Sequence, residues 1–339
     1  MRFKITIESL WYSRSKFFWI LLPFNLIFLA LVKIKRALYQ FKLFNSNRFN
    51  KTVLVVGNIT VGGTGKTPFI NQLVRILAQN KIKAGIVSRG YQSAIKNFPH
   101  QVIKSDTALD VGDEAFMQFT DLNCWAGLNI PMVIDPNRSR AIHCLIDNND
   151  IDIVISDDGM QHYKMARDIE VLLFDGERQF GNQLILPFGP LREPVSRLQS
   201  ADFIIQNGPQ NNTISEHNVC LEAVKLVQLK TGKKILIEAF SKKKVTAVAG
   251  IGNPERFFNT LKSICTIENK KSFSDHYDFK LDDFESFQKD IIVMTEKDAG
   301  KCYAFAGDDW YYLKVEMSFK KTLTDRLLNT IKNNIEQKR

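Results

Sequence analysis

The sequence is short of the residues that staple small secreted folds. It has five cysteines in 339 residues (Cys124, Cys144, Cys220, Cys265 and Cys302), and none belongs to a C-x-x-C pair. That spacing builds neither a disulfide framework nor a zinc site, and the thiols read as reduced in a cytoplasmic protein. No internal repeat or low-complexity tract is present, which excludes a repeat array. No unbroken apolar run reaches the roughly 20 residues that a bilayer core requires. The longest uncharged stretch, FFWILLPFNLIFLALV (Phe17–Val32), is interrupted by Pro23 and Asn25, and no small-x-small cleavage site follows it. Arg14 and Lys16 precede it; Lys33, Lys35 and Arg36 follow. Such a segment fits shallow insertion into a membrane, with the basic flanks meeting lipid phosphates, better than a full crossing; a soluble core helix is the alternative.

What is present is an ordinary globular composition, 45% hydrophobic and 24% charged, with a net charge of +10. The charge favours an anionic partner without choosing among nucleic acid, anionic lipid and phosphorylated substrate. No aromatic-basic recognition motif supports nucleic acid. From about Lys51, strand-like runs alternate with helical patterns: TVLVV (52–56), AGIVS (84–88), IDIVIS (151–156), IEVLLF (169–174) and DFIIQN (203–208). Nearly continuous apolar runs belong to strands buried on both faces of a parallel sheet. A doubly wound, P-loop NTPase-like α/β fold is therefore expected over residues 45–215, behind an N-terminal hydrophobic, membrane-anchoring helix at 1–44. Residues 216–240 read as a β-rich linker, and 241–339 as a smaller second α/β domain that includes VTAVAG, DIIVMT, WYYLKV and a terminal helix.

The sharpest motif is TVGGTGKT (Thr60–Thr67), directly after the first strand. It has Walker A spacing with Thr60 in place of the first glycine. Thr60, Val61, Gly62, Gly63, Thr64 and Gly65 supply a backbone cradle for phosphate oxygens. Lys66 reaches the β- and γ-phosphates, and Thr67 offers a hydroxyl to Mg²⁺ at a helix N-terminus. ISDDGMQH (Ile155–His162) puts Asp157 and Asp158 at the end of a neighbouring strand, where a carboxylate orders Mg²⁺ or caps a helix. His162 is a site residue or a structural histidine. In VGDEAFM, Asp113 and Glu114 open an expected helix, and from physics alone Asp113 reads as its cap. Arg138, Arg192 and Glu193 fall on turn-rich stretches near expected strand ends, and SFSDHYDF (272–279) and MTEKDAGK (294–301) follow strands of the second half.

Two other nucleotide-binding classes fit less well. A membrane-positioning ATPase carries a lysine before Gly-Gly, where this chain has Val61. A GTP-binding module reads guanine with N-K-x-D, where this chain has TEKD.

In order, VGNITVGGTGKTP, SRGY, GDEAFM, DDGMQH, LPFGPLREP and MTEKDA resemble the lipid A disaccharide kinases (tetraacyldisaccharide 4′-kinases), over about residues 1–305. The resemblance implies transfer of the γ-phosphoryl group of ATP to the 4′-hydroxyl of a membrane-embedded tetraacylated disaccharide phosphate. The product would be lipid IVA, made at the cytoplasmic face of the bacterial inner membrane without an obligatory protein partner. It also implies Asp113 as general base, with His276 as its partner, and Lys66 as the catalytic lysine. Glu114, Arg138, His162 and Arg192 become supporting active-site positions. Mg²⁺ falls to Thr67 with Asp157, Asp158 or Glu193.

Overall fold

The computed structural model describes residues 11–12, 22–208, 214–274, 277–287 and 289–339. Helix α1 (Leu22–Gln40) keeps little of its apolar surface inside. Leu29 and Val32 pack against the core, and the Asn25 amide donates to the Ile185 carbonyl at 3.1 Å. Phe24, Leu26, Ile27, Phe28, Leu31 and Ile34 remain 43% to 59% exposed. Among the described residues no helix is long and apolar enough to cross a membrane.

Strand β1 (Thr52–Gly57) is buried along its whole length, as its apolar run predicts. The pleat sorts its side chains by turns. Leu54 and Val56 join a layer with Phe69, Ile70, Leu73 and Leu77 of helix α2 (Lys66–Gln79). Val53 and Val55 face the opposite layer, with Ala141, Ile142 and Leu145. Strands β2 (Ala84–Ser88) and β3 (His100–Gln101) follow. Next come the short helices α3 (Ala108–Val111) and α4 (Asp113–Phe119), then β4 (Met132–Ile134). Helix α5 (Arg138–Asn148) leads to β5 (Ile153–Asp157), β6 (Ile169–Asp175) and β7 (Phe203–Asn207). Over this half the order is β7-β6-β1-β5-β2-β4, all parallel, with β3 antiparallel at the edge.

Residues 216–240 do not interrupt the sheet. Strand β8 (His217–Gln228) pairs parallel with β7 through its first residues, and β9 (Lys234–Leu236) pairs antiparallel with β8. Strand β10 (Lys244–Ala249), helix α6 (Pro254–Lys262), β11 (Thr266–Ser272), β12 (Ile292–Thr295), helix α7 (Glu296–Cys302) and β13 (Trp310–Phe319) complete the second series. Strands β11-β10-β12-β13 are parallel to one another, and β13 runs antiparallel to β8, joining the two series into one sheet. The whole is thus a mixed sheet, not the all-parallel one that the apolar runs suggest. Within β8, residues 221–225 alternate between half-buried and exposed, as in an antiparallel pairing with one face more open. Terminal helix α8 (Lys321–Lys338) returns to the first half, where Leu323, Leu327, Ile331 and Ile335 enter the core beside β1 and α2 at i, i+4 spacing.

Candidate active site

Parallel register brings the C-terminal ends of β1, β5, β6 and β7 to one edge: Val56 pairs with Asp157, Gly57 with Leu172, and Asp175 with Asn207. Gly57 has no room for a side chain, since a Cβ there would lie 2.4 Å from Cγ of Met160. The glycine-rich loop is therefore packed against the DDGMQH turn. Gly65, immediately before α2, has φ +89°, and a Cβ there would lie 2.4 Å from the Asn207 amide nitrogen. That amide donates to the Thr64 carbonyl at 2.9 Å, tying the loop to the end of β7. On the other side, the Val61 amide donates to the Pro190 carbonyl and the Arg192 amide to the Ile59 carbonyl. These bonds zip LPFGPLREP onto the loop and carry Arg192 into the site. Gly62 and Gly63 are exposed, Thr60 and Thr64 are buried, and Lys66 and Thr67 open the helix half-buried.

Asp158 sits between two cations, 2.8 Å from an Arg192 nitrogen and 3.6 Å from the Lys66 ammonium. Its φ of 50° is unusual for a side-chain-bearing residue and directs the carboxylate back toward the loop. Burial alone would push this carboxyl up, but Lys66 and Arg192 outweigh it and hold it below the ordinary carboxylate range. Asp157 behaves oppositely. It is buried, and desolvation raises it to about 7 despite Lys66, with Glu114 and Asp158 adding to the rise. One oxygen of each aspartate has no hydrogen-bond partner among the described residues. Buried Asp157 and half-buried Asp158, each with an open lone pair, fit a hard divalent cation at the edge where Lys66 and Thr67 open α2. No cluster of three or more metal-ligating His, Cys, Asp or Glu side chains occurs among the described residues. Mg²⁺ bound here would draw its remaining ligands from phosphate oxygens and water, its usual habit in nucleotide sites.

Glu193 differs from the aspartates. It is buried and saturated: Gln161 donates to one oxygen at 3.0 Å, the Tyr163 hydroxyl donates to the other, and Arg197 lies 3.3 Å away. These bonds brace the loop that presents Arg192. Arg138, the first residue of α5, is also buried; its guanidinium donates to the Asp135 and Asp157 carbonyls at 2.9 and 3.0 Å. Burial lowers it to about 10, so it stays charged and fixes the end of β5. His162 is pushed down to about 4 by burial and then by Arg138, Arg89 and Arg167, which keeps its imidazole neutral at physiological pH.

Asp113 opens α4 but does not cap it. Gly112 occupies that position with no side-chain bond, and the Asp113 carboxylate pairs with Lys301 of α7 at 3.0 Å. Glu114 lies 3.9 Å from Lys297 of the same helix. The first-half acids thus meet second-half cations across the cleft between α4 and α7. The predicted partner, His276, lies outside the described residues. Sequence reasoning passed over Asn207, Arg256 and Arg167. Arg256 of α6 donates to Asp175 at 3.1 Å and to Asn207 at 2.9 Å, so the second half reaches the phosphate loop through one intermediary. Arg167 donates to the Met160 and His162 carbonyls and braces the DDGMQH turn. An asparagine ending an apolar strand was the available signal for Asn207; Arg256 and Arg167 had none.

The raised Asp157 has a consequence for the nucleotide-free protein. An unfolded chain loses this proton near 3.8, whereas the folded protein keeps it to about 7. Its contribution to stability is therefore complete below pH 3.8 and declines as pH rises toward 7. Glu296, also raised to about 7 by burial, adds to the same decline. Asp157→Asn should flatten the fall in urea midpoint between pH 5 and pH 8, measured without nucleotide. Equal declines in variant and wild type would contradict the buried, proton-retaining environment.

Comparison with known proteins bears on this arrangement. The profile of the tetraacyldisaccharide-1-P 4′-kinase (LpxK) family matches residues 17–332. The tetraacyldisaccharide 4′-kinase of Legionella pneumophila (strain Philadelphia 1) is 42% identical over 310 residues, covering 91% of this chain and 92% of that protein. The Haemophilus influenzae protein of the same name is 41% identical, covering 90% of each, and the Nitrosococcus oceani protein 38%, covering 97% and 95%. In fold, the chain is similar to LpxK from Aquifex aeolicus, solved in complex with ATP, with a TM-score of 0.74, 23% identity and coverage of 93% and 99%. A match of this length, joined to relatives of this similarity across nearly the whole sequence, shows that the chain belongs to the tetraacyldisaccharide-1-P 4′-kinase family.

Proposed function

We propose that this protein transfers the γ-phosphoryl group of ATP to the 4′-hydroxyl of a tetraacylated disaccharide 1-phosphate, giving lipid IVA in lipid A biosynthesis. The observation that carries the reading is the placement of Lys66 and Arg192 around Asp158 at the mouth of a glycine loop, beside the unsatisfied oxygens of Asp157 and Asp158. The loop amides and Lys66 hold the triphosphate. Thr67 with Asp157 or Asp158 would bind Mg²⁺, which neutralises phosphate charge. Asp113, with His276, accepts the proton of the acceptor hydroxyl as its oxygen bonds to the γ-phosphorus. The bond to the β–γ bridging oxygen breaks, and ADP leaves. Because the transition state is loose, positioning and charge stabilisation by Lys66 and Arg192 supply most of the acceleration.

The exposed apolar side chains of α1 and the basic residues that follow them support attachment at the cytoplasmic face of the bacterial inner membrane, where this acceptor resides. The stretches 45–215 and 241–339 are read as two lobes that close on bound substrates, with 216–240 between them.

Incubation with labelled ATP, Mg²⁺ and the tetraacyl disaccharide monophosphate, followed by chromatography of the lipid, should place label in the lipid; no label with folded protein overturns the assignment. In the same assay Asp113→Ala should lower turnover by about 10²- to 10⁴-fold, and near-wild-type turnover would remove Asp113 from the base role. Replacing Phe24, Ile27 and Leu31 together with serine should weaken flotation with anionic vesicles and raise KM for the lipid acceptor, leaving KM for ATP within about twofold. Unchanged flotation would contradict membrane attachment through α1.

A further inference from the structure

The motif MTEKDAGK forms the end of β12 and helix α7, and the chemistry above gives its lysines no task. The helix is held rigidly. The buried Asp298 carboxylate accepts from the Thr295 hydroxyl and from the Gly250 amide at 2.9 Å, locking α7 to the end of β10. At its first residue, Glu296 accepts from the buried Lys314 ammonium at 2.7 Å, and Lys314 also donates to Asp121 at 2.6 Å, beyond α4. Lys297 and Lys301, one turn apart, share the face toward α4. Lys301 makes the closer approach, 3.0 Å from Oδ2 of Asp113, while its ammonium donates to the Tyr277 carbonyl at 2.9 Å. Both side chains of the pair are largely buried, 11% exposed for Lys301 and 18% for Asp113. One ammonium thus ties the acid of the first half to the residue that follows His276 in the chain of the second.

We propose that Lys301 is a positioning residue for phosphoryl transfer, a tether that fixes the Asp113 carboxylate against the Tyr277 carbonyl of the second half. This rests on the kinase reading above. Lysine suits the task because its ammonium has three donors on a compact head, enough to hold a carboxylate and a carbonyl together. The tether spans the two halves, so this contact on the acid holds only while α7 lies against α4. The structural alternative is an ordinary ion pair that adds stability without influencing transfer, and the two make different predictions.

The test measures kcat and KM for ATP with the full-length protein, labelled ATP and the tetraacyl disaccharide monophosphate. Lys301→Met should lower kcat by about 10- to 100-fold, the scale of a small misplacement of a reacting group, with KM for ATP within about twofold. Lys301→Arg should recover most of the lost turnover. Because Lys301 acts through Asp113, Asp113→Ala and the double variant Asp113→Ala/Lys301→Met should have the same kcat within about twofold. If Lys301→Met lowers the thermal midpoint sharply, Lys301→Gln decides the matter, since its amide is still able to donate to the Tyr277 carbonyl. Wild-type turnover in a folded Lys301→Met or Lys301→Gln variant overturns the assignment. So does a double variant slower than Asp113→Ala by the full Lys301→Met factor. A wild-type protein that transfers no label defeats the kinase reading and this inference together, whereas normal wild-type transfer with an indifferent Lys301 defeats the inference alone.

Discussion

Val56 pairs with Asp157 and Gly57 with Leu172 across the parallel ladders on either side of β1, and this register governs what the edge of the sheet presents. A slip of one residue in either ladder would turn every side chain of the neighbouring strand to the opposite face, and the two core layers on either side of β1 forbid it. With the register fixed, the glycine loop leaves β1 at the level where β5 delivers its aspartates, and Met160 fills the space a side chain on Gly57 would need. The loop, the carboxylates and Asn207 are thus consequences of one pairing geometry.

Around that edge the charges are arranged in interlocking pairs. Asp158 shares Lys66 and Arg192, Asp113 and Glu114 face Lys301 and Lys297, and Arg256 holds both Asp175 and Asn207. Asp157 is the exception. One of its oxygens has no hydrogen-bond partner among the described residues, and burial raises it, a costly arrangement unless a cation completes it. Acids whose titration is shifted by burial cluster at functional sites.

Much of this was legible in the residues. The apolar runs at 52–56, 84–88 and 169–174 are strands buried on both faces, and Thr60–Gly65 lies in the turn between β1 and α2. Edge strand β11 was not legible: TIENKKS is polar and exposed, and its pairing comes entirely from β10. The short β4 was missed because three residues carry no periodicity. The antiparallel joint between β8 and β13 depends on contacts between residues roughly 90 positions apart, which no local pattern encodes. The resemblance offers Glu193 as one of three candidate carboxylates for Mg²⁺. Only the fold shows Gln161, Tyr163 and Arg197 occupying its oxygens. Lys301 and Arg256 gained meaning the same way, through partners supplied by the other half of the sheet.

The most direct measure of the central claim is amide hydrogen exchange with and without saturating ATP and Mg²⁺. A backbone cradle at the end of β1 predicts slowed exchange across Gly62–Thr67 and the DDGMQH turn, with the exposed edge strand β11 unchanged. Exchange at Gly62–Thr67 that does not change under saturating nucleotide would contradict it.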